Sequence, residues 1–413
     1  MTVLYITQNG ITDHIGRSQV APYVLGLARR GYKLHVLSAE KPGRDRLEAK
    51  YAEELATAGV EWSRVRYRNA PRVAGPLLTH YAMMRRAREV ARRHRITFVH
   101  CRSHPAAHIG YDLFQRFGIP YIFDFRDFYA DSGLDKAHGL ARLAFAQVRR
   151  QEGPMLRNAA GVVCLTERAI EVLLGRYFDW APAARGKFRV IPCCADFSLF
   201  DRGRLTAAQI AEARTRAGLT PDDDVMLYLG SLGPDYLLDQ MLALFRQFKL
   251  VSKHAKFLFV CNNGRNLVDA ACLRLGVAET DVRFVTAERD DIPAFLSLAR
   301  LSVIFIRPDL AKAGCSPTKL AEALACDVPV VANTGFGDID RILHFDRNRS
   351  IVIPNFSDET LRDALRRIID DKDRPPGAIR AASGEYNIAE GVCRYSAIYD
   401  ELLSRRSANL ASC

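Results

Sequence analysis

Five residues within seven positions, Ser316, Pro317, Thr318, Lys319 and Glu322, have the types that could seat a phosphorylated sugar. Ser316 and Pro317 suit a helix cap and a first-turn proline, and Leu320, Ala323 and Leu324 recur at helical spacing. The run Val328-Pro329-Val330-Val331-Ala332 then reads as a buried strand, so the spacing predicts a short helix that starts near Ser316. A helix start offers free backbone N–H groups and the positive end of the helix dipole, a seat for a phosphate or diphosphate shared by Ser316, Thr318 and Lys319. Glu322 lies one turn further in, where a carboxylate can accept two hydrogen bonds from a vicinal diol such as a ribose. The same residues also fit an ordinary capped helix with a solvated lysine and glutamate.

A second group of candidates lies in the first half. Residues 96–101 and 121–125 read as strands that end in polar clusters, Arg102, Ser103 and His104 after the first, and Arg126, Asp127 and Asp131 after the second. Gly16, with Arg17 and Ser18, opens a helix expected to run to Arg30 after the strand at 3–8, and a glycine there lets a phosphate or sugar approach the backbone. In open parallel sheets ligands bind beyond the carboxyl ends of the strands, so these clusters point to one place. Helix caps and surface ion pairs are the alternative reading of the same residues.

The elements that must position these groups alternate strand and helix in both halves. Strands are expected at 3–8, 33–38, 96–101, 121–125, 161–165 and 189–194, and again at 225–230, 257–261, 282–286, 301–306 and 328–332. Long helices are expected at about 76–95 and 136–152. The pattern predicts an α/β chain of two tandem doubly wound, Rossmann-like domains facing across a cleft. The divisions are residues 1–200, 201–385, and a C-terminal helix and tail, 386–413, expected to return to the first domain.

Composition fits that size. The chain has 413 residues, 48% of them hydrophobic, enough for two cores. Its ten cysteines are scattered, without a C-x-x-C or a Cys/His cluster at zinc spacing, and are expected to be reduced and buried. No apolar run approaches the length of a membrane span and the N-terminus enters a strand pattern directly, so the expectation is a soluble cytoplasmic protein. The net charge of +12 is lopsided, because residues 1–200 hold 31 Lys and Arg against 18 Asp and Glu, whereas the remainder holds 28 against 29. A basic first half beside a neutral second half suggests that the first meets an anionic surface or substrate. Two D-x-D triplets, Asp338-Ile339-Asp340 and Asp371-Lys372-Asp373, are discounted as metal sites, since helix dipoles and basic side chains can neutralise a diphosphate.

The run from Ser316 through Glu322 into Leu324–Val331 resembles a motif of the GT-B glycosyltransferases, in particular the large retaining group numbered family 4 found in bacterial glycan and polysaccharide biosynthesis. Ile191-Pro192 leading to Asp196 and Phe200, Leu229-Gly230, residues 281–292 and the DFRDFYAD segment at 124–131 extend the resemblance over nearly the whole chain. It implies that the helix start holds a donor diphosphate and that Glu322 holds the nucleotide ribose. A hexosyl-type sugar would pass from a nucleotide-sugar to a hydroxyl of a glycan or lipid-linked acceptor, with retention and without a metal or other cofactor. The family's first glutamate, eight residues before Glu322, is here Gly314, and the basic residue expected after Gly230 is absent, so Lys319, Arg307 and Arg17 are the candidates for meeting the diphosphate. The family's histidine is replaced by Arg126, and Asp127 is expected to orient the acceptor, with Arg102, Ser103 and His104 beside it. No nucleic-acid partner is expected, and contact with the inner face of a cell membrane is. Two rival functions stand on the same pattern. One is a nucleotide-sugar epimerase using His104 and Asp127, and the other is an inactive scaffold subunit of a membrane glycan assembly complex.

Overall fold

The structure, a computed structural model, describes residues 2–71, 74–371 and 374–411. Thirteen strands form two sheets, and every recorded pairing between neighbouring strands is parallel. The first sheet comprises β1 (Thr2–Thr7), β2 (Lys33–Glu40), β3 (Glu61–Arg66), β4 (Ile96–Arg102), β5 (Tyr121–Phe125), β6 (Gly161–Cys164) and β7 (Phe188–Val190). The second comprises β8 (Asp224–Leu229), β9 (Ala255–Val260), β10 (Val282–Val285), β11 (Ala299–Ile304), β12 (Val330–Asn333) and β13 (Ile351–Ile353). Their orders, 3-2-1-4-5-6-7 and 10-9-8-11-12-13, are the doubly wound arrangement twice over. Each order reverses once, between β1 and β4 and between β8 and β11, and a doubly wound sheet binds ligands at that switch.

The chain divides into two compact units, Met1–Pro192 with Ala313–Cys315 and Ile388–Cys413, and Cys193–Lys312 with Ser316–Asn387. In the first, β4 is buried along its whole length and β1 on all but its first residue, because helices cover both faces of a parallel sheet. The last helix, Ile388–Ala411, belongs to this unit. Its Tyr399 lies edge-on to Phe98 and joins its hydroxyl to His100 Nδ1 at 2.7 Å, while Tyr395 meets Tyr23 edge-on at 5.3 Å. Gly26 admits this helix, since a Cβ there would stand 2.6 Å from a methyl of Val392. The second unit is built on an aromatic and aliphatic core that includes Tyr228, Phe245, Phe248, Phe257 and Phe259.

Local chemistry moved several boundaries. The helix expected from Gly16 to Arg30 is two, His14–Gln19 and Ala21–Arg29, because Pro22 starts a new helix after Val20 leaves helical geometry. The helix expected at 136–152 runs from Gly139 to Asn158, and a separate helix, Tyr129–Lys136, precedes it across the extended residues Ala137 and His138. The run at 189–194 contributes only Val190 and Arg189 to a strand, for Pro192 cannot donate to a ladder. Edge strands β3 and β13 were not expected; β3 is half exposed and reads as polar, and β13 is three residues long. Among the described residues, no helix is long and apolar enough to cross a membrane.

Asp327 closes the helix on which the second unit's candidate site depends. The helix Thr318–Ala325 ends with Asp327 at φ +60°, a left-handed terminus in which the Val328 N–H reaches back to the Ala323 carbonyl. The Asp327 carboxylate then accepts the N–H groups of Gly377, Ile379 and Arg380 at 2.8, 2.9 and 3.3 Å, capping the helix Ala378–Ala382. Asp327→Ala should lower stability by about 1–2 kcal/mol, the usual cost of losing a cap, and Asp327→Asn by less, since asparagine tolerates the left-handed conformation and still accepts. An unchanged urea-unfolding midpoint for the alanine variant would refute the assignment.

Candidate active site

In the second unit the decisive loops follow the two strands at the switch, β8 and β11. Gly230 ends β8 at φ +109°, a conformation glycine alone adopts easily, and a Cβ on it would stand 3.1 Å from Lys319 Nζ. The lysine fills the space that the glycine leaves. Its ammonium donates to the Tyr228 hydroxyl at 2.9 Å and lies over the rings of Tyr228 and Tyr236, 4.1 and 4.3 Å from their centres. Tyr228 in turn donates to the Ser231 carbonyl at 2.8 Å, and burial pushes its phenol well above the ordinary range. Lys319 is therefore a half-buried cation of fixed position and not a solvated side chain.

Lys319 is the second residue of the helix Thr318–Ala325, which starts two positions later than the sequence suggests. Pro317 is the N-cap and provides no side-chain cap to the leading amides of the helix. Ser316, expected as the cap, uses its hydroxyl to accept the Cys193 N–H at 3.1 Å. Glu322 is buried, 6% exposed, one turn inside the helix. Arg289 Nη1 donates to its Oε1 at 3.0 Å, and Arg289 itself lies over the Phe200 ring. Burial raises the Glu322 pKa above the usual carboxylate value, and Arg289 opposes that shift. Arg289 and the two tyrosines are the residues that sequence reasoning missed. Arg289 sits in the short helix Arg289–Asp291 within the 281–292 segment, where a basic residue beside two aspartates was the available signal.

The remaining candidates of this unit are separate from that cluster. Arg307 is exposed on the loop after β11. Asp340 is exposed and accepts the Gly335 N–H at 3.4 Å, while Asp338 is the N-cap of the helix Ile339–Ile342. Of the second D-x-D triplet, Lys372 and Asp373 lie outside the described residues.

In the first unit, the loop after β1 is held by a residue that the sequence did not single out. Glu40, 4% exposed at the end of β2, accepts the N–H groups of Ile11 and Thr12 and the hydroxyls of Thr12 and Ser38. Gly16 packs into this loop, for a Cβ on it would collide with the Gly10 carbonyl. Its missing side chain makes room for the chain's own backbone, which corrects the expectation that it admits a ligand. Arg17 follows it in the six-residue helix His14–Gln19.

Two further expectations for this unit are corrected. His104 is 1% exposed, its Nε2 is 2.6 Å from Glu152 Oε2, and its ring stacks on Tyr129. Glu152, fully buried, also accepts from Arg149, and Asp131 is paired with Arg176 at 3.0 Å. This ion network engages the His104 Nε2, while the ring also lines the cavity beside it. Arg126 is 8% exposed with Nη1 3.3 Å from Asp124, so it serves a buried pair. Burial raises the Asp124 carboxyl, but Arg126, His100 and Arg102 more than offset this and hold it below the ordinary carboxylate range. Arg102, also buried, donates to Asn9 Oδ1 at 2.9 Å across the switch between β1 and β4. Ser103 has φ +72°, a strained value for a residue other than glycine, and Asp127 is exposed.

Beside His104 lies an apolar cavity of about 380 Å³, lined by Leu77, Pro105, Tyr129, Phe145, Val148 and Met155 among others. His80 and His108 face it, 2.9 Å apart, and burial pushes His80 down to about 4. Two of the helices that line it also carry apolar side chains that no core covers. Leu77, Leu78 and Tyr81 of the helix Ala74–Arg93 are 57, 47 and 64% exposed, and Leu140 and Leu143 of the helix Gly139–Asn158 are 75 and 67% exposed.

Residues 17–194 match the glycosyl transferase 4-like domain, and residues 223–371 match the glycosyl transferases group 1 family. No curated protein matches the sequence significantly. Solved structures with the same fold include Alr3699/HepE of Anabaena in complex with UDP and glucose, with a TM-score of 0.66 and 14% identity over 96% of this chain and 99% of that one. Sucrose-phosphate synthase of Thermosynechococcus elongatus aligns with a TM-score of 0.70 and 16% identity over 98 and 99% of the two chains. WaaG, a glycosyltransferase involved in lipopolysaccharide biosynthesis, aligns with a TM-score of 0.61 and 17% identity over 96 and 95%. Two Rossmann-like units, each ending in the loops of a switch point, with a glycosyltransferase family matching each, make this chain a member of the GT-B glycosyltransferases.

Proposed function

We propose that the chain moves a hexosyl-type sugar, with retention, from a nucleotide-sugar to a hydroxyl of a glycan or lipid-linked glycan in polysaccharide biosynthesis. The observation that carries this reading is the start of the helix Thr318–Ala325. Its leading amides lack a side-chain cap, Lys319 is fixed beside them, and Glu322 lies one turn inside. The amides with Ser316, Thr318 and Lys319 meet the donor diphosphate and stabilise the charge that develops as the glycosidic bond breaks. Arg307 and Arg17 add positive charge, and a bound metal is not required. Arg289 holds one oxygen of Glu322, and the carboxylate receives the ribose hydroxyls. The acceptor hydroxyl attacks from the leaving-group side and gives its proton to a donor phosphate oxygen, with the exposed Asp127 orienting it. The complex of HepE with UDP and glucose supports a uridine nucleotide as the first donor to test.

The epimerase reading is weaker, since it needs an open acid or base, and His104 is enclosed with Glu152. Product analysis without an acceptor separates the two, an epimerised nucleotide-sugar favouring the rival. A scaffold subunit would bind the donor without transferring from it.

Glu322→Gln keeps shape while weakening charge-assisted hydrogen bonds worth about 1.5–3 kcal/mol, so uridine and UDP should both bind roughly ten- to a hundredfold less tightly. Calorimetry that finds unchanged affinity in the folded variant would remove the ribose role.

Lys319→Met should weaken UDP far more than uridine, because only the diphosphate carries the charge that the lysine meets. Arg307→Ala should do the same to a smaller degree, given its exposure. Equal losses for both ligands would sink the assignment.

The exposed apolar residues of the helices Ala74–Arg93 and Gly139–Asn158 lie close in sequence to exposed Arg85, Lys136, Arg142 and Arg150, which fits peripheral contact with an anionic membrane. Each basic residue near such a surface contributes about 1 kcal/mol. Floating the protein with phosphatidylserine-containing vesicles at low salt, and losing it at a few hundred millimolar salt, is the expected result. Failure to float at low salt would leave a soluble glycan as the acceptor.

A further inference from the structure

We propose that His35, Glu61 and His94 bind a zinc-class divalent cation at the edge of the seven-stranded sheet. Three elements bring them together. His35 and Glu61 are register partners on β2 and β3, near the amino ends of those strands, and His94 directly follows the helix Ala74–Arg93. His35 Nδ1 lies 3.2 Å and His94 Nε2 lies 3.8 Å from the same oxygen, Glu61 Oε2, and the three ligand atoms are all within 4.8 Å of one another. Tetrahedral zinc with bonds of about 2.0–2.1 Å needs its ligand atoms about 3.3 Å apart, so the cation would draw His94, at the end of its helix, inward by about 0.5–1.5 Å. Two imidazole nitrogens and one carboxylate oxygen form a donor set that zinc favours, and the exposed Glu61 leaves its fourth position to water.

The second observation is the state of His35. Its side chain is 5% exposed, yet Nδ1 has no hydrogen-bond partner, since the approach to Glu61 lacks hydrogen-bond geometry. Its other nitrogen, Nε2, is 2.8 Å from the Ser63 hydroxyl, which fixes the ring with Nδ1 aimed at the carboxylate. Such an outer hydrogen bond is how metal-binding histidines are commonly oriented. Ser63 is held in turn by Arg86, whose charge is met by Glu89 at 3.1 Å. The His94 ring stands edge-on to His35 with centres 5.1 Å apart, its Nε2 facing the same space. The cation would clip the edge strand β3 and the end of a long helix to β2. These are the amino ends of the strands, opposite the carboxyl-end loops at which a doubly wound sheet binds ligands, so the role is structural and separate from the proposed transfer.

The test uses the full chain after chelator treatment, with zinc chloride titrated by calorimetry and cobalt chloride followed by visible absorption. One zinc site should be lost, or weakened by about a hundredfold, in both His94→Ala and Glu61→Gln, two surface substitutions whose folding is checked by circular dichroism. Cobalt should give visible bands without thiolate charge transfer, which excludes capture by the exposed Cys393. Failure of the wild-type chain to take up zinc, equal stoichiometry and affinity in both variants, or a thiolate band in the cobalt spectrum would each overturn the proposal. If one variant does not fold, the other decides alone.

Discussion

A parallel sheet buried on both faces constrains everything else here. Its strands must be largely apolar, its connections must be helices, and polar groups are either paired inside the sheet, like His100 and Asp124, or gathered in the loops at either edge. In both sheets the order reverses once, and there alone two adjacent loops diverge from the carboxyl ends and leave room for a ligand. The residues that hold those loops are accordingly buried and charged, Glu40 under residues 11 and 12 in one unit and Glu322 with Arg289 in the other. A buried carboxylate persists only when its oxygens are paired, and each of these two is met by N–H groups or a guanidinium.

The departure at Gly230 has a physical explanation. Relatives of the family commonly place a basic residue after this glycine, whereas here Ser231 follows it. The cation beside Gly230 is Lys319, and the two tyrosines Tyr228 and Tyr236 hold it there. Their ring faces attract the ammonium and shield it from water, while the Tyr228 hydroxyl fixes its direction. The glycine is then needed twice, for its positive φ and for the volume that Lys319 Nζ occupies. A side chain at position 230 would disturb the lysine before it disturbed the strand.

Much of this was legible in the sequence where one periodicity dominated. The strand at 121–125 and the helix start near Ser316 follow from apolar runs bounded by proline, and the strand expected at 96–101 from an apolar run between arginines. What escaped was either polar at an edge, like β3 with its sequence EWSRVR, or decided by partners far away in the chain. Arg126 and His104 look catalytic in a one-dimensional reading, because a polar cluster after a strand usually faces a ligand. Each is enclosed instead, by Asp124 and by Glu152, acids that sequence spacing alone does not assign as their partners. Arg289 and Tyr228 were invisible for the converse reason, since they reach the helix start from separate strands and loops.

The basic excess of the first 200 residues illustrates why a net charge has to be divided before it is interpreted. Arg88 is taken by Asp112 through two hydrogen bonds, Arg149 by Glu152, Arg176 by Asp131 and Arg126 by Asp124. These cations are balanced within a few ångströms and add little to the field beyond a Debye length. The exposed Arg92, Arg93 and Arg95 stand near the end of one helix, and Arg142 and Arg150 stand along another. Arg85, three-quarters exposed, has only a 3.7 Å approach from Glu89, a contact of small energy at a surface. Part of the long-range field thus comes from two helices, and they are the same two that leave Leu77, Leu78, Tyr81, Leu140 and Leu143 uncovered. Exposed positive charge and uncovered apolar side chains therefore lie on the same elements, beside a cavity of apolar lining, which is the combination that the proposed contact with an anionic surface would need.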